Sequence, residues 1–171
     1  MSKGERQRGR EGVELYLVRH AHAGDPGAWQ GNDDDRPLSS RGERQAAGLA
    51  TFLARVGLRP TAILTSPRLR AAQTAAPIGR ALHVDVHPER LLAAGVDLGD
   101  LERILVAAGD PPSLLVVGHD PDFSELAREL TGAGALPLPK GSLARIDASR
   151  PLVPGCGVLR WLVPPELLPG D

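Results

Sequence analysis

Apolar residues along this chain fall into two rhythms. Val13-Glu-Leu-Tyr-Leu-Val18 is a nearly continuous apolar run bounded upstream by Gly12, and Ser113-Leu-Leu-Val-Val117 is a second. Short runs of this kind, rich in valine, leucine and tyrosine, read as strands buried or nearly so. Thr61-Ala-Ile-Leu-Thr65 reads as a shorter strand, and the alternation in His83-Val-Asp-Val86 as one at a sheet edge. The residues 142–147 and 158–163 read as a closing strand pair.

Between these runs the period changes to that of a helix. Ala46, Leu49, Ala50, Leu53 and Val56 share one face, opened by the capping-box spacing of Ser40 and Glu43 and closed by Gly57. Ser66-Pro67 reads as an N-cap with proline at the first helical position, opening a helix to about Ala81 that Pro77 is expected to kink or split. Leu98, Leu101, Ile104 and Leu105 form another amphipathic helix, stopped at Gly109-Asp-Pro-Pro, and a last one covers roughly residues 123–131. Strands alternating with helices predict a three-layer α/β/α sandwich. Residues 1–12, basic and without apolar periodicity, read as a disordered tail, leaving residues 13–171 as a single domain.

Composition narrows the function more than the fold. A chain of 171 residues with 42% apolar and 24% charged residues is ordinary for one globular domain. A net charge of −1 and only 3% aromatic residues argue against nucleic acid, for want of both a global field and stacking platforms. No apolar run reaches membrane-spanning length, and none follows the basic start as a signal peptide requires. The single cysteine, Cys156, forbids an intrachain disulfide and reads as a small buried hydrophobe. A cytoplasmic protein without membrane contact is expected.

The chemistry sits where the apolar runs stop. Arg19-His20 ends the first strand, the segment Ser66–Arg70 follows the second, and Gly118-His119 ends the late one. If these strands run parallel, all three sites meet at one carboxyl edge, where open α/β sheets place their ligand crevice. Two guanidinium forks beside a helix start suit a tetrahedral dianion, and an imidazole there can attack it. The acidic run Asp33–Asp35 lies in a polar loop of about twenty residues and is read as solvated.

Four motifs in order then carry a resemblance: Leu17-Val-Arg-His-Ala21, Arg36-Pro-Leu-Ser-Ser-Arg-Gly-Glu43, Thr65-Ser-Pro-Arg-Leu-Arg-Ala-Ala-Gln-Thr-Ala75 and Val117-Gly-His119. The chain resembles the histidine phosphatase superfamily, and within it the small SixA-like phosphohistidine phosphatases. The resemblance implies a phosphoglycerate mutase-like fold with a mostly parallel sheet, and His20 as a nucleophile that becomes phosphorylated. It also implies that Arg19 and Arg70 hold the phosphoryl oxygens and that His119 completes the pocket. His22 and Ser66 are further candidates for substrate contact. No metal and no cofactor is expected, because cationic side chains can neutralise the equatorial oxygens of a transferring phosphoryl group.

One departure from the family bears on substrate. Larger members that act on phosphate monoesters carry a glutamate acid between the third strand and the next helix. Here that segment reads Pro88-Glu-Arg-Leu-Leu, with apolar Leu91 at the aligned place and Glu89 slightly early. An imidazole leaving group needs little acid help, so protein phosphohistidine is the favoured substrate. A small phosphate ester remains the alternative, with Glu89, Asp25 or Asp120 as its acid. Two rivals come from other classes. His20-Ala-His22 is an H-x-H pair that, with Asp33–Asp35 and His119, would make a zinc hydrolase site; Arg19 and Arg70 would repel the cation. The other rival is a non-catalytic phosphate-binding module.

Overall fold

A computed structural model describes residues 12–170. The basic tail assigned to residues 1–12 lies, apart from Gly12, outside the described residues. Six strands form one sheet: β1 (Val13–Arg19), β2 (Ala62–Thr65), β3 (Val86–Pro88), β4 (Ser113–Gly118), β5 (Leu143–Ala148) and β6 (Gly157–Val163). Their spatial order is β3-β2-β4-β1-β5-β6. β1, β2, β3 and β4 are mutually parallel, whereas β5 and β6 close the sheet antiparallel. Four helices of eight residues or more cover it: α1 (Ser40–Arg55), α2 (Leu69–Leu82), α3 (Leu98–Ala107) and α4 (Asp122–Thr131).

The strand alternation of side chains sorts the core into two layers. Tyr16, Val18, Ile63, Leu115 and Val117 meet α1 through Leu49 and Leu53, and α2 through Ala71, Ala75 and Ile78. Leu15, Leu17, Leu114 and Val116 point the other way, onto Leu101 and Leu105 of α3 and Phe123, Leu126 and Leu130 of α4. This is the three-layer α/β/α sandwich that the alternation of periods implied. Chain direction explains the split. From β1 the chain moves toward β2 and β3, then returns to β4, and right-handed crossovers put the returning helix on the opposite face. The neighbours β1 and β4 therefore send their following helices, α1 and α4, to opposite sides. The gap between their outgoing loops is the switch point of the sheet.

Several boundaries differ from the sequence reading, each for a local reason. The cap of α1 is Ser39, whose hydroxyl accepts from Gly42 N–H, one residue before the expected Ser40. α2 begins at Leu69 with Arg68 as a cap lacking a side-chain bond, so Ser66-Pro67 forms a turn rather than the helix start. The same helix runs unbroken through Pro77: Ala71, Ala75, Ile78 and Leu82 are buried along it, and that packing outweighs one missing N–H. His83 is the left-handed cap of α2, and the edge strand starts three residues later at Val86. The long loop after β1 contains two short 3-10 turns, Pro26–Ala28 and Asp33–Asp35. Among the described residues no helix is long and apolar enough to cross a membrane.

Candidate active site

The parallel register brings the three strand ends together. Arg19 lies opposite Gly118 across the β1–β4 ladder, and Thr65 lies opposite Val117 across β2–β4. His20, Ser66 and His119 thus leave adjacent strands at one level. Backbone bonds hold them there: His20 N–H donates to Gly118 carbonyl at 2.9 Å and Ser66 N–H to Val117 carbonyl at 2.9 Å. Gly118 is required by packing, since a Cβ there would stand 2.5 Å from the Phe123 ring that seats α4.

Helix side chains then pin the loop that follows β1. Thr74 of α2 accepts from Ala21 N–H at 3.0 Å, and Gln45 of α1 accepts from His22 N–H at 2.9 Å. The first turn of α1 presses against the same loop so closely that a Cβ on Gly42 would meet His22 carbonyl oxygen at 1.9 Å. Loop and helices form one continuous wall.

His20 and His119 face each other with ring centroids 5.1 Å apart, both buried. His20 Nδ1 lies 2.7 Å from its neighbour's carbonyl, Ala21 O. A carbonyl only accepts, so the proton resides on Nδ1 and the lone pair on Nε2. Burial pushes the His20 pKa down to about 3; the Ala21 carbonyl opposes this, while Arg70, Arg19 and Lys140 add to it. Burial also lowers His119 to about 3, helped by His20, Arg70 and Arg68. Both rings are neutral at ordinary pH.

Arg70 is 4% exposed and is held by the acidic turn: Nη1 donates to Asp33 carbonyl at 2.7 Å and Nη2 to the Asp33 carboxylate at 3.0 Å. The other oxygen of that carboxylate takes Arg36 Nε at 2.7 Å, and Asp34 pairs with Arg68 at 2.9 Å. The Asp33–Asp35 run is therefore not simply a solvated loop; two of its carboxylates are fastened to the guanidiniums of the site. Arg19 is held from the opposite side, through Leu138 carbonyl at 2.7 Å and Asp120 at 3.2 Å. Arg19 Nε, Arg70 Nε and His119 Nδ1 are buried and have no partner. Buried donors are nearly always satisfied, so unpaired ones gathered in one crevice mark a place for an acceptor.

The remaining candidates have other neighbours. Ser66 Oγ meets His119 Nε2 at 2.7 Å, so the hydroxyl orients that ring. His22 turns its Nδ1 to the Ser39 hydroxyl at 2.7 Å, at the start of α1. Glu89 caps the 3-10 turn Arg90–Leu92 by accepting from Leu91 N–H, and Asp25 accepts from Gly27 N–H. Asp120 accepts from Ser124 N–H and hydroxyl while pairing with Arg19. Among the described residues no three His, Cys, Asp or Glu side chains gather as a metal-ligating group, so His20 and His22 are not assembled with Asp33–Asp35. Sequence reasoning missed the partnership of Asp33 with Arg70, which depends on a long-range contact.

Known proteins are similar to this chain in sequence and in fold. A protein of Picosynechococcus sp. (strain ATCC 27264 / PCC 7002 / PR-6) with no assigned function is 38% identical over 124 residues, 69% of this chain and 73% of that protein. An 8-oxo-(d)GTP phosphatase of Mycolicibacterium smegmatis is 34% identical over 101 residues, which is 57% of this chain but only 31% of that protein. The structure of the protein histidine phosphatase SixA complexed with tungstate superposes with a TM-score of 0.77 at 25% identity, over 90% of this chain and 97% of that one. The fold is phosphoglycerate mutase-like, and it supports phosphatase activity. With the description "Histidine phosphatase superfamily (branch 1)" matching residues 15–119, which contain all four motifs, the chain belongs to that superfamily.

Proposed function

We propose that this domain is a metal-independent phosphatase that works through a phosphohistidine on His20, and that its substrate is phosphohistidine carried by another protein. The observation that carries the reading is the neutral, oriented His20 ring, its Nε2 lone pair free, between two under-paired guanidiniums. Nε2 attacks phosphorus; the new N–P bond forms as the substrate's P–N bond breaks, and the leaving imidazole takes its proton from water. Arg19 and Arg70 neutralise the equatorial oxygens, and His119, oriented by Ser66, donates to one of them. Water then attacks the phosphorylated ring, releasing phosphate and restoring His20.

Substrate choice rests on the acids. Glu89, Asp25 and Asp120 each accept bonds elsewhere, so none is held ready to protonate an alkoxide. The link from β3 to α3, residues 89–97, carries only one 3-10 turn, which leaves the approach free of an inserted lid there. A second reading, hydrolysis of a small phosphate ester, is favoured by the likeness to the 8-oxo-(d)GTP phosphatase. The deciding experiment measures phosphate release in EDTA from a phosphohistidine protein and from para-nitrophenyl phosphate. Release chiefly from phosphohistidine, with an acid-labile label on the wild type and no turnover by His20→Ala, is expected. Preference for the ester would establish the second reading. Turnover that survives His20→Ala, or is lost in EDTA, would overturn the mechanism.

A further inference from the structure

We propose that Lys140 is an additional cation of the oxyanion cradle, binding the phosphoryl oxygens beside His20; this rests on the phosphatase reading and adds a residue to it. The loop carrying Lys140 is sewn to the catalytic strand end on both sides. Gly141 N–H donates to Arg19 carbonyl at 3.2 Å and to His20 carbonyl at 3.1 Å. Arg19 N–H donates to Ser142 carbonyl at 3.1 Å, and Arg19 Nη1 donates to Leu138 carbonyl at 2.7 Å. Lys140 therefore stands beside His20 by backbone register, not by the chance reach of a surface side chain.

Its electrostatic surroundings are those of the crevice. Lys140 acts on the rings of His20 and His22, and Arg19, Arg36 and Arg70 act on it in turn. The Asp25 carboxylate acts on Lys140 in the opposite sense, with no ion pair joining them. Lys140 is half-buried and, among the described residues, its ammonium has neither a hydrogen bond nor an ion pair. Burial, and then the three guanidiniums, lower its pKa against the opposing pull of Asp25.

A half-buried cation held among like charges is unfavourable until an anion joins them. The guanidiniums of the site have carboxylate partners in Asp33, Asp34 and Asp120; among the described residues the Lys140 ammonium has none. A tetrahedral dianion at His20 would supply the missing charge. A point charge on a flexible stem can also follow the oxygens as the phosphoryl group moves onto the ring.

Binding of inorganic phosphate, followed by calorimetry on the full chain, separates Lys140 from the rest of the site. Lys140→Gln is expected to weaken phosphate about tenfold, as loss of a charged hydrogen bond does, and Lys140→Arg to recover most of it. Wild-type affinity should fall at an alkaline pH below the ordinary lysine range, and that fall should be absent in Lys140→Arg. A folded Lys140→Gln that binds phosphate within twofold of wild type would sink the assignment of Lys140 and leave the phosphatase reading intact. Wild type that binds no phosphate would sink both.

Discussion

Arg70 and Arg150 are two arginines of nearly equal burial, with side chains 4% and 3% exposed, that the fold treats in opposite ways. Arg150 follows β5, away from the strand ends that carry His20 and His119, and is compensated twice. Glu102 of α3 takes Nη2 at 2.6 Å, and Asp110, just beyond α3, takes Nη1 at 2.7 Å. Burial alone would lower its pKa, but these carboxylates raise it. Arg70 has one carboxylate, half-exposed and shared with Arg36, and an Nε with no partner; burial, with Arg36 and Arg68 beside it, lowers its pKa despite Asp33. A buried cation with its charge matched is a clamp between elements. One left short of negative charge is prepared for a ligand.

Paired substitutions test that distinction. Arg70→Ala is expected to lower kcat/KM by about 10³-fold, the scale for removing a preorganised transition-state donor, with little change in melting temperature. Arg150→Ala should do the reverse: leaving Glu102 and Asp110 unpaired costs about 3–5 kcal/mol by the precedent of broken buried pairs, while turnover per folded molecule holds. Thermal denaturation and steady-state kinetics on both variants decide it. Equal losses of stability in the two would erase the contrast.

The histidines give the same contrast a pH axis. His20 and His119 are neutral in the folded protein down to about pH 3, whereas in the unfolded chain they take up protons below about 6.5. Between these values the unfolded state binds more protons, so stability falls as the solution is acidified, by about 1.4 kcal/mol per pH unit for each ring. Above pH 6.5 the contribution is fully present. Chemical denaturation at pH 4.5 and 7 should show a smaller slope for His20→Gln than for wild type. Kinetics should show no acid limb at the ordinary imidazole pKa that tracks His20.

Much of the crevice was legible because its signal is local. An apolar run that stops at Arg19-His20 or at Gly118-His119 says both that a strand ends and that something polar stands at its mouth. What escaped depends on contacts far apart in sequence. Ser66 looked like a cap because Ser-Pro is a common helix start; only the pairing of β2 with β4 shows its hydroxyl bound to His119 instead. Asp33 looked solvated because nothing within the loop announces Arg70, thirty-seven positions away, as its partner. Lys140 carried no signal at all, since its place beside His20 follows from β5 pairing antiparallel with β1.

The smallest expected effect tests the carboxylates rather than the cations. Glu89 stands next to β2's end, its N–H bonded to Thr65 carbonyl at 2.8 Å, close enough in the fold to be suspected as a hidden acid. Its carboxylate, however, accepts from Leu91 N–H at 2.9 Å. A side-chain oxygen survives in Glu89→Gln, so the turn keeps its cap and only the acid is lost. Turnover of phosphohistidine should then change by less than about twofold, within the scatter of a surface substitution. A hundredfold loss confined to ester substrates would identify Glu89 as a general acid. It would also move negative charge into a crevice whose character, set against the clamp at Arg150, is a surplus of positive charge awaiting an anion.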